Sequence, residues 1–261
     1  MDAALVARLR AAGCVFAEDE ARLLAEAATG PAELGRLVAE RVAGRPLEQL
    51  LGWAEFGGLR VAVAASVFVP RRRTELLVAV ACRLLGPGAV LLELCCGVGA
   101  VSLALTRVVP ELQVHAADLD PAAVACARGN LPGAAVYEGD LYLPLPASLR
   151  GRVDVLVANA PYVPTGAIAL MPPEARDHEP ALALDGGADG LDVQRRIIAG
   201  VRDWLAPGGA LLIETGRLQA PVTAAAMAAA GLAADVLSDD ELDATAVMGL
   251  APSAGRQPGQ G

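Results

Sequence analysis

Three rhythms of apolar and polar residues follow one another along the chain. In the first, Leu, Val and Ala recur every three or four positions through Asp2 to Leu9, Asp19 to Ala28 and Pro31 to Ala43, with breaks at Gly13, Thr29-Gly30 and Gly44. That period lines apolar side chains along one face of a helix. Pro31 suits a first helical turn, where its missing N–H would have had no partner. Three short helices are too few for a robust core alone. Residues 1–51 are therefore expected to form a small helical domain that docks on a larger one.

The period then changes. Trp53 to Phe56, Gly57-Gly58 and Leu59 to Val63 read as a hairpin with a glycine turn, making 52–73 a β-hairpin and linker. A helical pattern returns from Thr74 to Leu85 and stops at Gly86-Pro87-Gly88. Beyond it, short apolar strands at Val90–Leu94, Gln113–Ala117, Ala134–Tyr137, Val153–Ala158 and Ala210–Ile213 alternate with helical stretches at 98–108, 121–128, 190–205 and 220–230. Strands apolar on both faces, separated by helices, imply an α/β domain with a mostly parallel sheet covered by helices over 74–250. Segments 233–236 and 244–250 can close it with an antiparallel edge. The Pro/Gly/Gln-rich 251–261 is expected to be a disordered tail.

Composition narrows the function classes. The 261 residues are 54% hydrophobic and 20% charged, far from the signature of disorder. No apolar run reaches the roughly 18 to 20 residues that span a bilayer, and the N-terminus lacks a signal peptide's order, so no membrane partner and a cytoplasmic location are expected. The net charge of −9 disfavours unselective attraction to a phosphate backbone. Arg71-Arg72-Arg73 is a compact basic cluster that either meets an acidic or phosphate group or is a solvated loop. Five cysteines without a CxxC pair and two histidines suggest neither a disulfide scaffold nor a metal site. His115 falls in a strand and reads as structural, while His178 lies in a polar loop with substrate contact left open.

The chemistry concentrates at strand ends. Val90-Leu-Leu-Glu93-Leu-Cys95-Cys-Gly97-Val-Gly99 joins a strand, a sharp glycine loop and a helix start. Asp118 follows 21 residues after Gly97, at the end of the next strand, where a carboxylate can accept both hydroxyls of a ribose. The third glycine of the pyrophosphate-binding fingerprint is missing, which disfavours a nicotinamide oxidoreductase. Glu93 could accept from an ammonium, so S-adenosylmethionine, with ribose hydroxyls, an amino group and no pyrophosphate, fits better. Gly139-Asp140-Leu141 adds a carboxylate that could read an adenine amino edge or cap a turn. Asp120-Pro121 reads as a helix start.

Asp154-Val-Leu-Val-Ala-Asn159-Ala160-Pro161-Tyr162 is the most informative stretch. A buried strand delivers a carboxamide, a backbone carbonyl and an aromatic ring beyond its carboxyl end, where open α/β sheets bind ligands. The Asn159 side-chain oxygen and the Ala160 carbonyl can accept both N–H bonds of an NH₂ group while Tyr162 lies over its plane. The polar connection from Pro164 to Gly190, with Glu179, Asp185 and Asp189, supplies either caps or pocket wall. Glu214 ends a strand at the same edge, with no role assigned to it.

Together these segments resemble the HemK/PrmC family, protein-(glutamine-N5) methyltransferases acting on the Gly-Gly-Gln motif of peptide chain release factors. The resemblance runs through Phe68-Val-Pro-Arg-Arg-Arg-Thr-Glu75, the 93–99 loop, Asp118 with Asn130, Gly139-Asp-Leu141, Asn159-Ala-Pro-Tyr162, Glu179 to Gly187 and Asp189-Gly-Leu191. It implies a class I, Rossmann-like methyltransferase domain with a seven-stranded sheet, joined by a hairpin to the helical domain that helps to recognise the release factor. It also implies S-adenosylmethionine held by Glu93, Cys95, Gly97, Gly99, Asp118, Leu119, Asp140, Leu141 and Asn159. Asn159, Ala160, Pro161 and Tyr162 would hold the substrate amide. The family's usual Asn-Pro-Pro-Tyr is here Asn-Ala-Pro-Tyr, and Arg72 replaces a usual proline. A monomer is expected. Two alternatives remain open: methylation of a nucleic-acid base amino group, which the same turn could hold, and a non-catalytic cofactor-binding interaction protein.

Overall fold

The computed structural model describes residues 2–253, so the tail expected at the C-terminus lies, after Ser253, outside the described residues. Helices α1 (Ala3–Ala11), α2 (Ala17–Ala27) and α3 (Pro31–Val42) follow the three apolar stripes, and a short α4 (Leu47–Leu51) precedes the hairpin. Asp2 caps α1 by accepting from the Ala4 N–H at 2.9 Å. Leu5, Leu9, Leu24, Leu37 and Val38 close a core cluster of their own. The hairpin pairs β1 (Trp53–Phe56) with β2 (Leu59–Ala62) in antiparallel register.

The main sheet contains β3 (Val90–Leu94), β4 (Gln113–Asp118), β5 (Ala135–Glu138), β6 (Val153–Ala158), β7 (Leu205–Glu214), β8 (Ala233–Asp239) and β9 (Ala244–Leu250). Its order is β5-β4-β3-β6-β7-β9-β8, parallel except for β9, which runs antiparallel to both its neighbours. Side chains of one strand alternate between faces. Leu91, Val155 and Leu212 pack with α5 (Glu75–Leu84), α6 (Ala100–Thr106) and α7 (Pro121–Asn130). Leu92, Leu156 and Leu211 face the opposite layer, built by α10 (Asp192–Gly200) and α11 (Ala220–Ala229). The seven-stranded α/β architecture expected from the sequence is the one observed. Chain direction across the sheet reverses between β3 and β6, opening a crevice beyond their carboxyl ends.

The structure fills in one region the sequence left undivided and corrects another. The polar connection after β6 holds a 3-10 segment (Thr165–Leu170), α8 (Pro173–His178) and α9 (Ala181–Leu184). Pro173 occupies a first-turn position of its helix and Pro180 immediately precedes α9, places where a missing proline N–H loses no helical bond. The helix expected to run to Leu205 ends as α10 at Gly200, where the Tyr142 ring fills the space a side chain would need. Leu205 already belongs to β7, and Pro207-Gly208-Gly209 lies within that strand at a register shift against β6.

Candidate active site

A crevice of about 1200 Å³, counting its open mouth, lies beyond the ends of β3, β4 and β6. The sequence candidates Cys95, Gly97, Asp118, Leu119, Asp140, Leu141, Asn159, Ala160, Pro161 and Tyr162 all line it. Glu93 and Gly99 do not. Gly99 starts α6 at φ 75°, and a β-carbon there would come within 2.7 Å of the Leu131 side chain, so its place is close helix contact. Glu93 is buried, and its Oε2 accepts from the Ser102 N–H at 2.9 Å and from the Ser102 hydroxyl. Burial pushes its carboxyl up to about 7, against the lowering effect of those bonds.

Asp118 braces the loop. Its Oδ2 accepts from the Gly97 N–H at 2.7 Å and its Oδ1 from the Asp120 N–H at 2.9 Å. Each oxygen keeps a lone pair for a further donor. Burial raises the Asp118 pKa and the two backbone N–H groups oppose that rise. Asp120 caps α7 through the Ala122 N–H at 2.9 Å, as the Asp-Pro pair predicts. Asn130, at the end of α7, ties β2 to the glycine loop: its Nδ2 donates to the Ala62 and Val98 carbonyls at 3.0 and 2.9 Å. The cavity chemistry suits a nucleoside: a carboxylate at Asp118, apolar walls from Leu119 and Leu141, and a second carboxylate at Asp140. Asp140 pairs with Arg196 of α10 at 2.5 Å.

At the other end, the Asn159 Nδ2 donates to the Thr74 hydroxyl at 3.1 Å, so its Oδ1 is the free end of the carboxamide. The Ala160 carbonyl accepts no hydrogen bond from the described residues. Tyr162 donates its phenol to Glu214 Oε1 at 3.1 Å. Burial first, then the Glu214 charge, drive its pKa far above the usual phenol range. The turn is pressed from behind by Gly190, where a β-carbon would stand 2.2 Å from the Tyr162 carbonyl oxygen. The same carbonyl accepts from Gln219 Nε2 at 2.9 Å.

Several wall residues lie outside the site residues expected from the sequence. Phe68, Arg71 and Arg73 arrive from the linker, Val193 and Arg196 from α10, and Leu182 to Leu184 from α9. Arg71 is engaged by the buried Glu179 at 2.6 Å, so one arginine of the basic cluster meets an acidic group within the chain. Glu179, Asp185 and Asp189 take the structural option: Glu179 holds Arg71 and the Val69 N–H, Asp185 the Thr165 hydroxyl, and Asp189 both Arg195 and the Leu191 N–H. His178 borders a separate groove against Glu40 and Gln49. His115 stacks on Tyr137 and shares a 3.0 Å hydrogen bond with its hydroxyl, a structural setting. Among the described residues no group of three or more His, Cys, Asp or Glu is placed to hold a metal ion, and no helix is long and apolar enough to cross a membrane.

Comparison with known proteins places this geometry. The family model for the methyltransferase small domain matches residues 72–171, from the linker through the Asn159 turn and into the connection after it. A release factor glutamine methyltransferase of Geobacter sulfurreducens is 41% identical over 70% of this chain, which spans 65% of that relative, just under two thirds. Proteins of the same name from Bradyrhizobium diazoefficiens and Deinococcus radiodurans are 36% and 38% identical over 88% and 89% of this chain, covering 86% and 91% of their own lengths. A methyltransferase crystal structure from Pyrococcus furiosus shares the fold at a TM-score of 0.57 and 15% identity, over 75% of this chain and 90% of that one. Identity of this level along nearly the whole length of two relatives, on a sheet of this order, makes the chain a member of the release factor glutamine methyltransferase family.

Proposed function

We propose that this protein transfers a methyl group from S-adenosylmethionine to the side-chain amide nitrogen (N5) of a protein glutamine, that of the Gly-Gly-Gln motif in a peptide chain release factor. The observation that carries the reading is the pair of free acceptors at the Asn159-Ala160 turn: a carboxamide whose nitrogen is already tied to Thr74, and a carbonyl with no partner among the described residues. Such a pair accepts both N–H bonds of a planar NH₂, and the adjacent Tyr162 ring offers a flat apolar surface.

When bound, S-adenosylmethionine supplies an electrophilic methyl on a positively charged sulfur. Asp118 would accept from the ribose hydroxyls with the lone pairs that Gly97 and Asp120 leave free. Leu119 and Leu141 would flank the adenine and Asp140 would meet its amino edge, while Cys95 and Gly97 shape the wall. Glu93, behind the loop, would act on the amino-acid arm only through water, and Gly99 through helix placement.

An amide nitrogen is a poor nucleophile because its lone pair is conjugated. Asn159 Oδ1 and the Ala160 oxygen orient it and favour the positive charge it gains. Pro161 fixes the turn. Proton loss follows transfer, so no strong base is required. The helical region over residues 2–51 would help to recognise the release factor, and the chain would act as a monomer.

A base amino group could enter the same acceptors. The acidic balance of the chain, and the pairing of Arg71 and Arg196 with carboxylates, favour a protein acceptor. Incubation with labelled S-adenosylmethionine, intact release factor, its Gln→Ala version and short nucleic acids decides the matter. Label on the intact factor alone is expected; label on nucleic acid and none on protein would overturn the assignment.

A further inference from the structure

The carboxamide of Asn159 is useful only one way round. Rotated by half a turn, it would present its NH₂ to the substrate's NH₂, donor against donor. Thr74 alone cannot enforce the choice, because a hydroxyl donates or accepts with equal ease. Something must fix the direction of the Thr74 hydroxyl.

The candidate is Glu214, at the carboxyl end of β7 and 2% exposed. Its Oε1 accepts from Tyr162, and its Oε2 is the one buried side-chain polar atom among the described residues that has no hydrogen-bond partner. Thr74 and Glu214 are both buried and grip the same turn, Thr74 bonded to Asn159 and Glu214 to Tyr162, and the Thr74 hydroxyl favours the charged form of the carboxylate. The Thr74 hydroxyl donates to no acceptor among the described residues and Glu214 Oε2 receives no donor, so each group could complete the other.

We propose that Glu214 and Thr74 are positioning residues that set the polarity of the amide clamp. The Glu214 carboxylate accepts from the Thr74 hydroxyl, Thr74 can then only accept from Asn159 Nδ2, and Asn159 Oδ1 is left facing the substrate. The same carboxylate holds the Tyr162 phenol, so one buried charge fixes both the acceptor and the ring. Burial raises the Glu214 pKa, while Thr74, Tyr162, Arg73 and Arg71 favour its ionised form. The inference deepens the glutamine reading and rests on it.

Only two asparagines occur in the chain, Asn130 and Asn159, so ¹⁵N-asparagine labelling gives two side-chain NH₂ signals. In purified full-length protein, Glu214→Gln and Thr74→Val should each shift the Asn159 pair while leaving Asn130 in place, which also reports that the fold is intact. Thr74→Ser, which keeps the hydroxyl, should restore the wild-type signal. With release factor as substrate, kcat should fall about 10- to 100-fold in Glu214→Gln and Thr74→Val, the size expected for a misplaced reacting group. Calorimetric affinity for S-adenosylmethionine should stay within about twofold. An Asn159 signal unmoved by Glu214→Gln, or wild-type kcat in that variant, would overturn the inference. Were wild-type protein to methylate no release factor, the glutamine reading would fail and the asparagine spectra alone would decide the polarity relay.

Discussion

Glu93 occupies the one charged position of a strand whose five residues are all buried. Water is replaced there by two bonds from Ser102, and burial outweighs them in setting its pKa near 7. A carboxyl whose folded pKa lies above its unfolded value, near 4.5, favours the folded state in its protonated form. The penalty is absent below about pH 4.5, grows through the interval to about 7 and is complete above it. Glu93→Gln should therefore stabilise the cofactor-free protein by about 3 kcal/mol at pH 8, a gap that closes by pH 4.5. Denaturant midpoints of the two proteins across that range check it, and a gap that widened toward acid would contradict the sign. Asp118 shows the same contest: burial raises its pKa, and the Asp120 and Gly97 N–H groups oppose that rise.

At the level of elements, the pieces that were legible in sequence are those whose signal is local. The apolar run of β3, the glycines after it, the Asp120-Pro121 start of α7 and the Asn159-to-Tyr162 turn each show their chemistry within a few residues. The pairings that finish the site do not. Asn159 meets Thr74 across 85 residues, Tyr162 meets Glu214 across 52 and Arg196 meets Asp140 across 56. Only the order of strands in the sheet makes those neighbours. The 164–190 connection showed no helices because α8 and α9 are too short for an apolar period to register, and β7 was misread because its bulge at Pro207-Gly208-Gly209 carries the residues of a loop. The turn itself offers an element-scale test. Ala160 is buried, and its N–H has no backbone partner among the described residues. Ala160→Pro removes that donor, keeps the carbonyl and restricts the unfolded chain, so stability should rise by up to about 1 kcal/mol. Thermal melting reads the gain, with methyl transfer retained; a loss of stability would mean that the backbone at 160 does not suit proline.

At the scale of the whole molecule, the small helical region and the crevice are joined by charge. Arg41 of α3, 7% exposed, donates to Glu20 of α2 at 2.6 Å and to Glu174 of α8 at 2.5 Å. Gln49 reaches the Val67 carbonyl at 3.1 Å and the His178 carbonyl at 3.4 Å. The far end of that same segment, Pro180 and Leu182 to Leu184, walls the crevice. Removing Arg41 strands the buried Glu20 carboxylate, so Arg41→Ala should lower the unfolding free energy by about 3 kcal/mol. Glu174 is half exposed, and Glu174→Gln should cost under about 1 kcal/mol. Equal losses in the two variants, by chemical denaturation, would show that the buried half of the network does not carry the joint.

The central claim is that the Asn159 turn handles the methyl acceptor while Asp118 handles the cofactor. One comparison tests it: single-turnover methyl transfer to release factor against calorimetric affinity for S-adenosylmethionine, both in Asn159→Ala. Loss of one fixed acceptor at the reacting nitrogen should slow transfer by about 100-fold or more and leave cofactor affinity within about threefold. A parallel loss of transfer and affinity, or transfer at the wild-type rate, would contradict the account.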